Sequence, residues 1–225
     1  MRHIPIVVGG TGFYIQALLY DIDFTEETDE AYRGQLEKLA DEKGNGYLHG
    51  LLAQADPESA GMIHENNRKR VIRALEFHHT TGQRLSEHNA QQRQRTSPYR
   101  FVYFVLTDDR QKLYDRIDRR VDKMMQNGLV DEVRRLREIG CRRDMVSMQG
   151  LGYKEILDFL DGKISLEEAV YRIKRDTRHF AKRQLTWFRR ERDVVWIDRT
   201  AFDGDEEKIL AYMKQVLEDG GIYRK

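Results

Sequence analysis

The sequence predicts an α/β fold in which a small parallel sheet is accompanied by many helices. Three short runs rich in β-branched or aromatic residues predict strands: Ile4–Val8, Arg100–Thr107 and Val194–Ile197. Helical periodicity separates each run from the next, and strands linked through helices pair in parallel. Three strands are few for such a sheet, so we expect the sheet to be incomplete within these residues.

The charge distribution predicts an acidic helical insertion within a basic body. The 225 residues carry a net charge of +1, but residues 23–66 hold eleven acids and three bases. That segment therefore has a net charge of −8, and residues 67–225 have +9. We predict a core portion formed by residues 1–22 and 67–225 and an all-helical insertion at 23–66.

Cysteine and hydropathy patterns exclude several classes of protein. Cys141 is the single cysteine, which excludes an internal disulfide or a Cys-based zinc site. No apolar run reaches membrane length and no signal-peptide pattern is present, so we expect a cytoplasmic protein without membrane contact. His64-Glu65 lacks the second histidine of a zinc-binding HExxH pattern. We predict no metal ligand within these residues.

The first element is a strand followed by a glycine turn, Gly9–Gly12, and a helix over Phe13–Leu19. This order points backbone N–H groups and a helix N-terminus at an anion. No Gly-Lys-Ser/Thr follows, which excludes a Walker A loop, and the third glycine of a dinucleotide-binding turn is absent. A plain strand–helix turn fits the pattern equally well.

The middle of the chain is predicted to be helical, and residues 83–99 are predicted to be a loop because they are polar and lack periodicity. The last helix before that loop begins with Arg68, Lys69, Arg70 and Arg73. Cations in a first turn oppose the helix dipole, so they indicate an anionic partner. The predicted helices are Asp29–Lys43, Tyr47–Gln54, Pro57–His64 and Asn67–Thr81.

The second half begins with the Arg100–Thr107 strand, after which Asp108 can cap a long helix that ends at Gly128. Residues Cys141–Leu151 are predicted to be a loop. The further predicted helices are Leu129–Ile139, Tyr153–Leu160, a basic helix opening at Ser165 and a final helix over Asp205–Leu217.

The basic helix Ser165–Arg192 is the most informative stretch. Ser165 and Glu168 form a capping-box pattern. Residues 172–192 contain nine Lys or Arg against two acids, which is more one-signed than a solvated surface requires. Like charges this close together on one helix repel each other, and a phosphate-rich partner would bind them favourably. Its predicted apolar face comprises Ala169, Ile173, Phe180, Ala181, Trp187 and Phe188.

Five ordered motifs together resemble the tRNA dimethylallyltransferase (tRNA isopentenyltransferase) family, over about Ile4 to Ile197. They are VVGGTGFYIQALL, NRKRVIRALEFHHTTG, DRQKLYDRIDRRVDKMMQNGLVDEV, GLGYKEILDFLDG and DTRHFAKRQLTWFRR. The resemblance implies a P-loop-NTPase-like parallel sheet. It also implies transfer of a dimethylallyl group from dimethylallyl diphosphate to the exocyclic N6 amine of the adenine 3′-adjacent to the anticodon. The implied partners are the tRNA anticodon stem-loop, dimethylallyl diphosphate and Mg²⁺.

The resemblance also implies roles for individual residues. Thr11 and Arg183 match catalytic positions, and the glycine turn together with Arg183 matches the site for the donor diphosphate. The implied donor-binding residues are Gly9, Gly10, Thr11, Gly12 and Arg183. The implied tRNA-binding residues are Arg33, Lys69, Arg70, Val71, Ile72, Arg73, Gln149, Gly150, Leu151, Gly152, Tyr153 and Lys154.

The sequence departs from the family in two respects. It contains no GxxxxGK[ST] P-loop, and no acid matches the general-base aspartate. We therefore expect an N-terminally truncated form that is inactive alone, with Mg²⁺ ligands mainly outside these residues. A non-catalytic tRNA-binding remnant, one half of a split enzyme with a separate N-terminal half, and an unrelated phosphotransferase are the alternatives. Without a separate half, a monomer is expected.

Overall fold

The computed structural model describes residues 4–22 and 28–222. The chain divides into two compact units. We call them the sheet unit, formed by Met1–Gly12 and Arg100–Lys225, and the helical unit, formed by Phe13–Tyr99. Residues 23–27, where the predicted insertion begins, lie outside the described residues, and that insertion as a separate domain stays a prediction.

The sheet unit contains two parallel strands, β1 (Tyr103–Thr107) and β2 (Val194–Asp198). Tyr103 lies opposite Val194, and Thr107 lies opposite Asp198. The predicted α/β class and parallel pairing are confirmed. Both strands begin or end within three residues of their predicted limits.

The predicted first strand is wrong. Ile4–Val8 has no strand structure, and all five residues are exposed, with Val8 at 91%. A strand needs a neighbour for its backbone hydrogen bonds, and among the described residues the only sheet is the β1–β2 pair. The β-branched composition of Ile4–Val8 is compatible with a strand, but no neighbouring strand among the described residues pairs with this segment.

Eleven α-helices occur within the described residues, and most match the predicted ones to within two or three residues. Two short 3₁₀ turns lie at Val146–Gln149 and Arg199–Phe202. The α-helices are α1 (Gly12–Tyr20), α2 (Glu30–Lys43), α3 (Asn45–Ala55), α4 (Pro57–Met62), α5 (Arg68–Thr81), α6 (Leu85–Gln94), α7 (Arg110–Gln126), α8 (Leu129–Glu138), α9 (Tyr153–Leu160), α10 (Leu166–Phe188) and α11 (Glu206–Asp219).

Helix α10 packs on α7 and α9 in the sheet unit. Ser165 caps it, accepting from the backbone N–H of Glu168 at 3.1 Å, as the capping-box pattern predicts. Ala169 and Ile173 are buried in a core shared with α8 and α9. The predicted apolar face is only partly covered, because Phe180 and Trp187 remain more than a third exposed.

The helical unit has its own core, in which α2, α3 and α5 pack together. Its buried members are Leu36, Ala40, Leu48, Leu52, Val71, Ile72, Ala74 and Leu75.

Helix α6 corrects the prediction that residues 83–99 form a loop. Its first-turn residue Ser86 donates from its backbone N–H and its hydroxyl to Asp56, at 2.9 and 2.6 Å. Asp56 also accepts from the backbone N–H of Ser59 at the start of α4. One buried carboxylate therefore caps two helices, and the cap for α6 lies 30 residues upstream.

Among residues 4–22 and 28–222, no helix combines the length and apolarity that crossing a bilayer would require.

Candidate functional site

The glycine turn lies against the second half of helix α10. The side-chain Nε2 of Gln184 donates to the carbonyl oxygen of Gly10 at 2.6 Å. The backbone of Gly12 faces the indole of Trp187 so closely that a Cβ at Gly12 would overlap Nε1 and Cδ1. A side chain at Gly10 would likewise collide with Gln184. The close approach of α10 therefore explains why positions 10 and 12 are occupied by glycine.

This packing sets the glycine turn against the segment of α10 that contains Arg183. Thr11 is exposed between the two contacted glycines. Arg183 is exposed, precedes Gln184 in sequence and lies one helical turn before Trp187, on the same side of the helix. Its guanidinium lies over the ring of Phe180, 5.8 Å from the centroid. Gln184 and Trp187 were not predicted to hold the turn.

The cations of α10 form two groups that differ in pairing. In the first half, acids neutralise them: Arg178 pairs with Asp118 at 2.6 Å, and Lys174 pairs with Asp122 at 2.6 Å. Arg172 and Arg175 pair within the helix, with Glu168 and Asp176. For this half, the prediction that the charge requires an external partner is wrong.

The second half of the helix and the residues just after it keep their charge. Lys182, Arg183, Arg189 and Arg190 are exposed, and no acid of the described residues pairs with them. The excess of positive charge predicted from the sequence is therefore concentrated in the second half of α10 and the residues just after it. An exposed group of cations without internal partners is suited to bind phosphate.

In the helical unit, two predicted tRNA-binding arginines meet at one buried acid. Arg33 of α2 donates from Nη2 to Oε2 of Glu76 at 2.7 Å. Arg73 of α5 reaches the same oxygen from Nη1 at 3.3 Å. Glu76 was not predicted as functional, and its one sequence signal is an acid within the otherwise apolar run Ala74–Phe77.

The start of α5 combines paired and unpaired cations. Arg68 pairs with Glu37 and with Asp41, both at 2.7 Å, and its hydrogen bond holds the pKa of Asp41 below its ordinary value. Arg68 and Arg73 thus have acidic partners within the protein. Their presence at the start of α5 therefore does not require an anionic ligand, contrary to the argument from the helix dipole. Lys69 and Arg70 are exposed without an acidic partner among the described residues, so that argument applies to them alone.

Val71 and Ile72 lie in the core of the helical unit and are essentially inaccessible. Their side chains therefore pack within the protein, and their role in tRNA binding stays a prediction. They follow Lys69 and Arg70 on the same helix, so the segment matched by the family motif has one packed side and one exposed side.

The segment Gln149–Lys154 is a structured turn at the start of α9. Gly152 has a φ of 101°, which favours glycine, and its N–H donates to Oε2 of Glu155 at 2.8 Å. Tyr153 donates its hydroxyl to Glu132, a bond that raises the pKa of Tyr153. Lys154 lies 3.5 Å from Glu155. The predicted tRNA-binding residues Gln149, Gly150 and Leu151 precede Gly152, and Gln149 and Gly150 are exposed.

No described residues form a group of three or more His, Cys, Asp or Glu side chains that could hold a metal ion. The residues of the structure therefore do not offer a fit for Mg²⁺, and the expected role of that ion stays a prediction.

An α/β unit in which a glycine turn packs on a helix with exposed arginines is typical of proteins that bind phosphorylated ligands. The sequence model of the IPP transferase family matches residues 1–191. The chain is 55% identical over 222 residues to a tRNA dimethylallyltransferase of Lachnoclostridium phytofermentans, covering 98% of this chain and 71% of that protein. The chain belongs to the IPP transferase family.

Solved structures give the same result. The tRNA isopentenylpyrophosphate transferase of Bacillus halodurans is 42% identical with a TM-score of 0.59, and the match covers 94% of this chain and 66% of that one. A eukaryotic dimethylallyltransferase, described as acting on tRNA, is 27% identical with a TM-score of 0.72, with 96% and 57% covered. The chain thus spans roughly six to seven tenths of these relatives.

Proposed function

We propose that this chain takes part in transferring a dimethylallyl group from dimethylallyl diphosphate to the N6 amine of the adenine 3′-adjacent to the anticodon of tRNA. Family membership supports transferase chemistry, and the relatives' names support tRNA as the acceptor. The observation that supports the proposal is the packing of Gly10 and Gly12 on Gln184 and Trp187, in the segment of α10 that contains Arg183.

Arg183 is proposed to stabilise the leaving diphosphate. In the transfer, a bond forms between N6 of adenine and the allylic carbon while the carbon–oxygen bond to diphosphate breaks. The electron pair of that bond leaves with the diphosphate, and the amine loses a proton. A guanidinium can bind two diphosphate oxygens at once, which favours departure of the charged group. We assign no base, because no acid of this sequence matches the family's aspartate.

Acceptor binding is proposed to use the exposed cations. In the sheet unit these are Lys182, Arg189 and Arg190, and in the helical unit they are Lys69 and Arg70. Contacts with the phosphodiester backbone give affinity and position without reading the base. The absence of internal acidic partners among the described residues supports this role, since these charges are not already neutralised.

When bound, Mg²⁺ would supply further positive charge to the diphosphate. The described residues do not form a ligand cluster for it. We therefore derive no step through the ion.

The test is prenyl transfer with unmodified tRNA, dimethylallyl diphosphate and Mg²⁺. The assay has two arms, the 225-residue chain alone and the chain with a P-loop-containing N-terminal segment of a relative added in trans. We expect transfer in the second arm, because the sequence contains no P-loop to hold the donor. Tight tRNA binding without transfer in either arm would instead support a tRNA-binding remnant.

A further inference from the structure

Glu76 is a carboxylate with no solvent exposure, placed in α5 between the core residues Leu75 and Phe77. A buried charge is costly unless it is paired and hydrogen-bonded. Neither the family motif nor the relatives' names give this residue a role. Its presence within a core-facing stretch therefore requires a reason.

The structure provides three donors for this carboxylate. Arg33 and Arg73 both reach Oε2, at 2.7 and 3.3 Å, and the backbone N–H of Asp29 donates to Oε1 at 3.2 Å. The two arginines come from different helices. Their side chains are 43% and 35% exposed, while Glu76 is at 0%. One buried acid thus holds two partly exposed guanidinium groups that come from different helices.

We infer that Glu76 is a positioning residue, which holds the guanidinium groups of Arg33 and Arg73 in place to bind phosphate groups of the tRNA backbone. This inference rests on the proposed function and deepens it. Arginine offers five N–H donors, so the Arg33 guanidinium, which donates to Glu76 from Nη2 and is 43% exposed, has further donors to present. Anchoring removes side-chain freedom before the RNA arrives, which improves affinity.

The inference predicts a change in tRNA affinity that is opposite to the change expected from simple electrostatics. Replacing an acid removes a negative charge, which by itself favours binding of a polyanion. If Glu76 instead positions the arginines, Glu76→Gln should weaken tRNA binding, because a neutral amide holds the two guanidinium groups less firmly than a carboxylate does. Glu42→Gln is the matched control, since Glu42 is exposed and unpaired among the described residues on the same unit. It removes the same charge without touching an arginine.

The experiment measures the affinity of the full chain for a tRNA transcript at fixed salt, with folding checked by circular dichroism. We expect Glu76→Gln to weaken binding about tenfold, the loss from one charge-assisted contact. Glu42→Gln should bind as tightly as the wild type or more tightly. Equal or tighter binding by a folded Glu76→Gln variant would overturn the inference.

Two further variants keep the inference testable if Glu76→Gln does not fold. Arg33→Lys retains the charge and an ion pair for Glu76, but a lysine cannot hold a carboxylate and a phosphate through one planar group. We expect several-fold weaker binding, and unchanged affinity would contradict the inference. In a chain that already carries Arg33→Gln and Arg73→Gln, adding Glu76→Gln should cause no further change in tRNA affinity. If Glu76 had a purely structural role, Glu76→Gln would weaken tRNA binding in that chain as much as it does in the wild type.

Failure of the inference can be told from failure of the proposed function. A wild-type chain that does not bind tRNA contradicts both. A wild-type chain that binds tRNA, together with a Glu76→Gln variant that binds equally well, contradicts the inference alone.

Discussion

The indole of Trp187 occupies the position that a Cβ on Gly12 would need. This contact fixes the glycine turn on helix α10 and explains why position 12 requires glycine even though its backbone φ is not in the left-handed region. The turn is therefore defined by packing as much as by its proposed ligand.

Gly12→Ala should destabilise the sheet unit and impair transfer. The added methyl group must displace a large ring, and overpacking of this kind costs about 1–3 kcal/mol. Gly9→Ala is the matched control, since nothing lies within 4 Å of a Cβ at Gly9. Urea denaturation followed by fluorescence gives the free energy of unfolding of each. Equal losses for the two variants would show that Trp187 does not constrain the turn.

Arg183→Ala should damage turnover more than tRNA affinity, whereas Lys69→Ala should do the reverse. Loss of one charge-assisted contact costs roughly 1.5–3 kcal/mol in either case. The comparison uses single-turnover rates with bound tRNA in the presence of the P-loop-containing N-terminal segment, and separate equilibrium binding of tRNA. If Arg183→Ala weakened tRNA binding and left the rate of the bound complex unchanged, its proposed role would be wrong.

Within α10, the salt dependence of tRNA binding should reflect the cations that lack an acidic partner among the described residues. Each neutralised phosphate adds about 0.7–0.9 to the slope of log K against log salt. Arg189→Ala should therefore lower the slope by about that amount. Lys174→Ala is the control, since Lys174 is paired with Asp122 at 2.6 Å. A slope near zero for the wild-type chain would reject an electrostatic contact altogether.

The helical unit should lose stability in acid through Asp56. Burial raises the pKa of this carboxyl group, but hydrogen bonds from Ser59 and Ser86 outweigh that effect and lower the pKa to about 2. A group whose pKa is lower in the folded protein stabilises it above the unfolded pKa of about 3.9. Its contribution, on the order of 2 kcal/mol, is lost as the pH falls from about 4 to 2.

Urea denaturation between pH 2 and 6 measures this loss. Asp56→Asn should be less stable near pH 6 and should show a shallower decline in acid. Glu42→Gln is the control, since Glu42 is exposed on the same unit and has no ion-pair partner among the described residues. A variant at Asp56 that declined as steeply as the wild type would contradict the assignment.

The sequence predicted local features better than features that depend on distant residues. The strands at 103–107 and 194–198, the Ser165 cap and most helices follow from composition and periodicity. Ile4–Val8 has strand composition, but whether it forms a strand depends on a neighbour. Helix α6 lacks its own cap, and receives one from Asp56, 30 residues away.

The same reason separates the predicted from the missed residues of the candidate sites. Motif matching found Arg33 and Arg73, but their shared partner Glu76 is visible only when α2 and α5 are packed together. Periodicity placed Trp187 on an apolar face, and could not show that this face receives Gly12. Counting the charges on α10 likewise could not show which of its cations are neutralised by acids of α7.

The central claim is that the glycine turn and Arg183 serve prenyl transfer to tRNA. Nucleoside mass spectrometry of tRNA is the most direct test, after incubation with dimethylallyl diphosphate, Mg²⁺, the chain and the P-loop-containing segment. We predict N6-dimethylallyladenosine at the adenine 3′-adjacent to the anticodon with the wild-type chain, and at least a tenfold lower rate with Arg183→Ala. Unmodified tRNA with the wild-type chain that binds it, or an unchanged rate with Arg183→Ala, would contradict the claim.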